Sequence, residues 1–362
     1  MKHKNLPIII LISFAFSFCS SPDMEEVVVN YSDSIAGLTK VVDSICLIPL
    51  ETDSEHLLGS AVELIPADDT YVVADLQNGA MFRYSAEGRF LNSIGHKGRG
   101  PAEYARLQSV QNYSGDIIAF SAPDKMLRYS PDGVFIAQEE LLSPGHQSFI
   151  IDDNHTLTYY SYLPTRTHRL SLLKDDVVEE FLETRNPLMT YMAEAPVFSE
   201  YEDEVFVIDS YSDILYRFSN CETKPYLRFN FGRYSIYDDL QTFEDAFESA
   251  YYLSDREFAL INRYQESLNY KFVEILVQKE DGVSYQYGLY YDDEWHWFSC
   301  SGDSAALSGT FRLLNGDRLL CILDPMALVE HPLGFEGIVS NNDVLSSVNE
   351  NSNYVIACIN LK

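Results

Sequence analysis

Met81-Phe82-Arg83-Tyr84-Ser85, followed by Glu87-Gly88-Arg89-Phe90, returns as Met126-Leu127-Arg128-Tyr129-Ser130, followed by Asp132-Gly133-Val134-Phe135. A short apolar run precedes each copy, Val72-Val73-Ala74-Asp75 in the first and Ile117-Ile118-Ala119-Phe120 in the second. A third copy reads Phe206-Val207-Ile208-Asp209, then Leu215-Tyr216-Arg217-Phe218-Ser219. Its arginines fall at 83, 128 and 217, so the steps are 45 and 89, one period and almost two. A repeat of about 45 residues made of short strands is the period of a four-stranded propeller blade. The punctuation agrees with this, because Glu87-Gly88 and Asn78-Gly79 are hairpin turns in which glycine accepts positive φ.

Working outward, runs at 61–66, 71–75, 80–84 and 89–94 make one antiparallel meander. The unit between the second and third copies has strands at 148–151, 156–161, 169–173 and 177–182 but lacks the Arg-Tyr-Ser signature. Residues 238–267 break the rhythm. Leu240, Phe243, Phe247 and Tyr251 share one helical face, as do Phe258, Ile261 and Tyr264, and Ser254 with Glu257 forms a capping box. The expectation is a helical hairpin inserted between blades four and five. Strands resume at 271–279, 283–291 and 294–300, and a sixth unit follows at 309–314 and 318–323. A polar loop over 340–353 precedes a last strand at 354–361. Without insert and loop, residues 41–361 hold about six periods. The early strand 44–50 has no blade of its own. Set beside the C-terminal strand, it closes the ring and removes its open edges. The expected fold class is all-β, a six-bladed β-propeller of four-stranded antiparallel blades over 41–362.

Composition agrees. With 46% hydrophobic residues, the 362-residue chain has ample material for a core. Its net charge of −30 argues against nucleic-acid partners, which want basic patches. Lys2, His3 and Lys4 followed by an apolar run over 6–18 read as a signal peptide (1–18), too short for a mature membrane span. Phe16-Ser17-Phe18-Cys19 resembles a bacterial lipobox, with Phe18 where a small residue is usual. Cys19 is then the lipidated first residue and 19–40 an acidic tether. Five other cysteines, with no C-x-x-C, read as small buried hydrophobes rather than a disulfide frame.

The stretch Gly95-x-x-Gly98-x-Gly100-Pro101-x-Glu103-Tyr104 follows Arg89-Phe90-Leu91-x-x-Ile94. This combination resembles the six-bladed β-propeller lipoproteins of Gram-negative bacteria, distantly similar to NHL-repeat and TolB-like propellers. The resemblance implies an outer-membrane lipoprotein, surface-exposed or facing the periplasm, with the membrane reached only through its lipid. It carries no activity with it, because six-bladed propellers include binders, lactonases, lyases and scaffolds.

The glycine stretch is neither a dinucleotide fingerprint nor a P-loop. Its structural reading is a crossing between blades, with glycines supplying positive φ and Pro101 stiffening the exit. Its functional reading is charge: Arg83, Arg89, Lys97, Arg99 and Arg106 face only Glu87 and Glu103. His96, Lys97 and Arg99 could hold a carboxylate or phosphate at the channel mouth, with Glu103 and Tyr104 beside them. Trp295 and Trp297 alternate on a strand and share a face, which suits either packing between blades or stacking on a sugar or peptide. The paired aspartates, among them Asp68-Asp69, Asp175-Asp176 and Asp292-Asp293, read as turns rather than calcium loops. His146, His155 and His168 fall within one blade, and no metal or cofactor motif is expected. Three functions stay open: a binding propeller for a glycan, peptide or small metabolite at the channel mouth, an extracytoplasmic hydrolase or lyase, and a scaffold docking a surface protein through 238–267.

Overall fold

The computed structural model describes residues 24–362 apart from 61, 143–144, 162–165, 175–176, 185–194, 244, 332 and 334–336. The leader, Cys19 and the Asp175-Asp176 turn lie outside the described residues. Six antiparallel sheets form the ring, each ordered from an innermost to an outermost strand. The innermost strands are Val62–Ala67, Leu107–Tyr113, Gln147–Asp152, Phe198–Tyr201, Phe258–Glu266 and Phe311–Asn315, for blades one to six. Val42–Pro49 pairs antiparallel with Val355–Leu361 and completes blade six from the other end of the chain. This is the closure expected from the unpaired early strand.

The repeated residues do structural work. Tyr84, Tyr129 and Phe218 are buried between blades. The repeated arginines on the third strands reach the first residue of the neighbouring second strand. Arg83 Nε donates to Thr70 Oγ1 at 3.0 Å, Arg128 Nε to Asp116 Oδ2 at 2.5 Å, and Arg217 Nη1 lies 3.1 Å from Glu204 Oε1. Gly88, at φ +84°, sits against the outer strand of blade six, where a Cβ would stand 2.2 Å from Pro49 O. That close approach explains why the hairpin ends in glycine.

Amide side chains stitch innermost strands together. Gln111 bonds the Ile150 backbone in both directions, accepting from its N–H (2.8 Å) and donating to its carbonyl (2.9 Å). Gln147 likewise accepts from Val197 N–H (2.8 Å) and donates to Ala195 O (3.0 Å). Asn112 Nδ2 donates to Pro66 O at 2.8 Å, and Gln265 Oε1 accepts from Leu314 N–H at 2.6 Å. The innermost strands of neighbouring blades come close without sharing a backbone ladder, and these amides pair backbone groups that would otherwise lack partners.

Two expectations are corrected. Helices do separate blades four and five, at Tyr237–Leu240 and Ala246–Ser254, but Phe258–Glu266 is the innermost strand of blade five, not a second helix. A bulge between Ile261 and Arg263 explains the misreading. It shifts the strand's parity, so the positions facing the main core run Ala259, Ile261, Tyr264, and the last step of three imitates helical spacing. Without this strand the blade would have only three.

The second correction concerns the tether. Residues 24–40 are folded onto the ring. Glu25–Val28 adds a parallel fifth strand outside Glu222–Asn230 of blade four. The chain then crosses blade five, where Ser32 N–H donates to Gln286 Oε1 (2.9 Å), Gln286 Nε2 donates to Ser32 O (3.0 Å) and Ser299 N–H donates to Ser34 O (3.0 Å). The short helix Ala36–Val41 buries Leu38 and Val41 against the core of blades five and six before the closing strand begins. Val27, Val29 and Leu38 had the apolar character to do this. Covering the blade-four edge also removes a row of unpaired backbone groups.

Candidate functional site

The glycine stretch crosses from the outermost strand of blade one to the innermost strand of blade two and folds into a tight loop. Gly98 N–H donates to Tyr104 O (3.0 Å) and Tyr104 N–H to His96 O (3.3 Å). Glu103 Oε2 accepts from Gly100 N–H at 2.7 Å and its Oε1 lies 2.9 Å from His96 Nε2. The Gly100 amide, followed by His96, holds the Glu103 carboxyl below the usual carboxylate range. A Cβ at Gly98 would stand 1.9 Å from Glu103 Oε2, so a larger residue there would displace the Glu103 carboxylate from its bonds in the loop. Tyr104 is fully buried, with its hydroxyl donating to Ile94 O (3.3 Å). Glu103 and Tyr104 therefore build the loop. His96, Lys97 and Arg99 are exposed, and Lys97 and Arg99 have no ion-pair partner among the described residues.

Trp295 and Trp297 stack with ring centroids 5.7 Å apart on the outermost strand of blade five. They pack in the core shared with blade four, where Trp295 meets Phe229 edge-on at 6.1 Å. Trp297 is buried there and Trp295 half-buried. In blade three His155 stands apart from His168. His155 and His168 begin successive antiparallel strands and so stand at opposite ends of the sheet, His155 against Asp152 (2.7 Å) and His168 near Glu180 (3.4 Å). Among the described residues no group of three metal-ligating side chains converges. The helix Ala246–Ser254 leaves Phe247 and Tyr251 largely exposed on the rim.

The concave site is the central channel. A cavity of about 390 Å³ is walled by residues from the innermost strand of every blade. None of the residues singled out in the sequence lines it. Its wall is mixed, with Leu64, Val110, Phe149, Phe198 and Leu314 set among polar residues such as Gln108, Ser109, Ser148 and Asn315. A buried charge cluster braces one side. Arg263 of blade five reaches past blade six to form a forked pair with Glu63 of blade one, Nη2 to Oε1 at 2.9 Å and Nη1 to Oε2 at 3.2 Å. Arg263 Nε also lies 3.7 Å from Glu274 Oε1. Burial pulls the Arg263 proton affinity down, but Glu63 and Glu274 outweigh it and hold the guanidinium above its ordinary value. Burial pushes the Glu274 carboxyl up. Arg312 spans the same corner by donating from Nε to Val62 O (3.1 Å) and from Nη1 to Gly309 O (2.6 Å).

Glu200, on the innermost strand of blade four, is different. Its carboxylate opens onto the channel and is exposed there, and partial desolvation by the surrounding wall raises its pKa. It has no hydrogen-bond or ion-pair partner among the described residues. A signal for these groups was present in the sequence. Several first strands carry polar residues within their apolar run, as in Leu107-Gln108-Ser109-Val110-Gln111-Asn112-Tyr113, Phe198-Ser199-Glu200-Tyr201 and Tyr264-Gln265-Glu266. Polar residues inside an otherwise strand-like run mark the face that lines a channel.

The fold is similar to that of a protein described as exported in Bacteroides fragilis NCTC 9343, at 17% identity over 94% of this chain and 99% of that one, with a TM-score of 0.73. A member of the duf4221 family from Bacteroides vulgatus ATCC 8482 is also similar, at 12% identity over 89% of this chain and 97% of that one, with a TM-score of 0.53. At such identities the likeness is one of fold. No curated protein matches the sequence. Among the described residues no helix is long and apolar enough to cross a membrane. The family described as a domain of unknown function, DUF4934, matches residues 26–360, and the chain belongs to it.

Proposed function

We propose that the protein is an exported propeller, tethered to the cell envelope through Cys19, that holds a small ligand in its central channel. The observation that carries the binding part is the 390 Å³ cavity to which all six blades contribute a wall. That volume suits a small molecule, and a wall that sets apolar side chains beside polar ones can hold both parts of such a ligand. The address rests on the leader-like residues 1–18 and the lipobox-like Phe16-Ser17-Phe18-Cys19, in keeping with a fold shared with a protein described as exported.

The binding reading is tested by thermal shift of the full mature chain against a library of glycans, short peptides and small metabolites. Hits should disappear in Asn315→Trp, which puts an indole at the channel wall, and persist in Arg99→Ala on the glycine loop. Hits that survive the plug, or that need Arg99, would move the ligand out of the channel, and a library without hits would overturn binding. The address is tested separately by metabolic labelling with palmitate. Incorporation should be lost in Cys19→Ala, and an unlabelled wild type would remove the lipid anchor.

A further inference from the structure

Resting on the channel reading, we infer that the ligand is an organic cation, an amine carried on an apolar body, and that Glu200 is its counter-ion. The other charged side chains at the channel are already engaged. Glu63 is committed to Arg263 through a two-point fork. Glu266 accepts from the hydroxyls of Tyr226 and Tyr264 and lies 3.6 Å from Lys271 Nζ. Gln111, Gln147 and Asn112 are spent on backbone groups between blades. Arg312 is spent on carbonyls. Glu200 remains as the one channel carboxylate with no partner among the described residues, at a wall that also presents Phe149, Phe198 and Val110.

Glu200 is exposed on the channel wall, where no described residue neutralises it. A bound ammonium does so through charge-assisted hydrogen bonds, while the apolar side chains beside it take up the carbon body. A carboxylate ligand would meet like charge here. The net charge of −30 acts in the same direction, drawing cations towards the ring and slowing anions.

The test uses three probes of matched shape, hexylamine, 1-hexanol and hexanoate, titrated calorimetrically into the full mature chain. Hexylamine should bind at least about tenfold more tightly than hexanol, and hexanoate should bind weakest. Glu200→Gln, which removes the charge from a group with no partner among the described residues, should melt like the wild type and bring hexylamine down to the affinity of hexanol. Glu200→Lys should reverse the order in favour of hexanoate. Hexylamine binding no better than hexanol, or unchanged in Glu200→Gln, would overturn the inference. Asn315→Trp separates the two levels. Probes that bind without charge preference and are excluded by the plug refute only the cation, whereas amine binding that ignores the plug refutes the channel itself.

Discussion

Arg263→Ala is expected to lower the free energy of unfolding by about 3–5 kcal/mol, because it leaves two carboxylates in the interior without their shared cation. Arg263 is only 8% exposed and Glu274 1%, so water cannot replace the lost partner. At roughly 2.1 cal/mol/K per residue, this corresponds to a fall of about 4–7 °C in melting temperature. Differential scanning calorimetry or urea melts would read it. Arg263→Lys, which keeps the charge but loses the fork to Glu63, should fall between wild type and alanine.

The loss should also depend on pH, with a definite sign. Burial raises the Glu274 carboxyl in the folded protein, so the native state binds a proton more readily than the unfolded chain. Such a group's contribution is fully present below the unfolded carboxylate value and is lost as pH rises through the folded one. Removing Arg263 takes away a cation that favours the ionised form and raises Glu274 further. The deficit of Arg263→Ala should therefore shrink on acidification from neutral pH towards about pH 4.5. A deficit that grows in acid, or a variant as stable as wild type at neutral pH, would show that the pair does not brace the ring.

Leu38→Ala is expected to cost about 2–5 kcal/mol, the range for truncating a fully buried leucine. Leu38 is 0% exposed, packed in the core with Phe298 and Leu361 of blades five and six. If residues 24–40 were a free tether, the same substitution would be silent. Urea melts with an unchanged slope would separate a stability loss from a change in what unfolds.

The architecture was legible because its determinants are local. Turn pairs such as Glu87-Gly88 and Asp132-Gly133, and apolar runs such as 72–74 and 117–119, report strand and hairpin through neighbouring residues alone. Their spacing reported the blade, and the unpaired strand at 44–50 pointed to the closure. Where reading failed, an inserted residue had changed a local period, as at the bulge before Arg263, or an irregular stretch had found cover only in tertiary contact, as Leu38 did.

By itself, then, the sequence determined that this chain is a ring of six small sheets, since strand, turn and period are written within each stretch of about 45 residues. It did not determine what the ring encloses. Glu63 and Arg263 are 200 residues apart, and Glu200 is opposed by strands from every other part of the chain. Only when the blades close do their inner strands converge, and only then do burial and proximity decide which charges are paired and which one is left facing the channel.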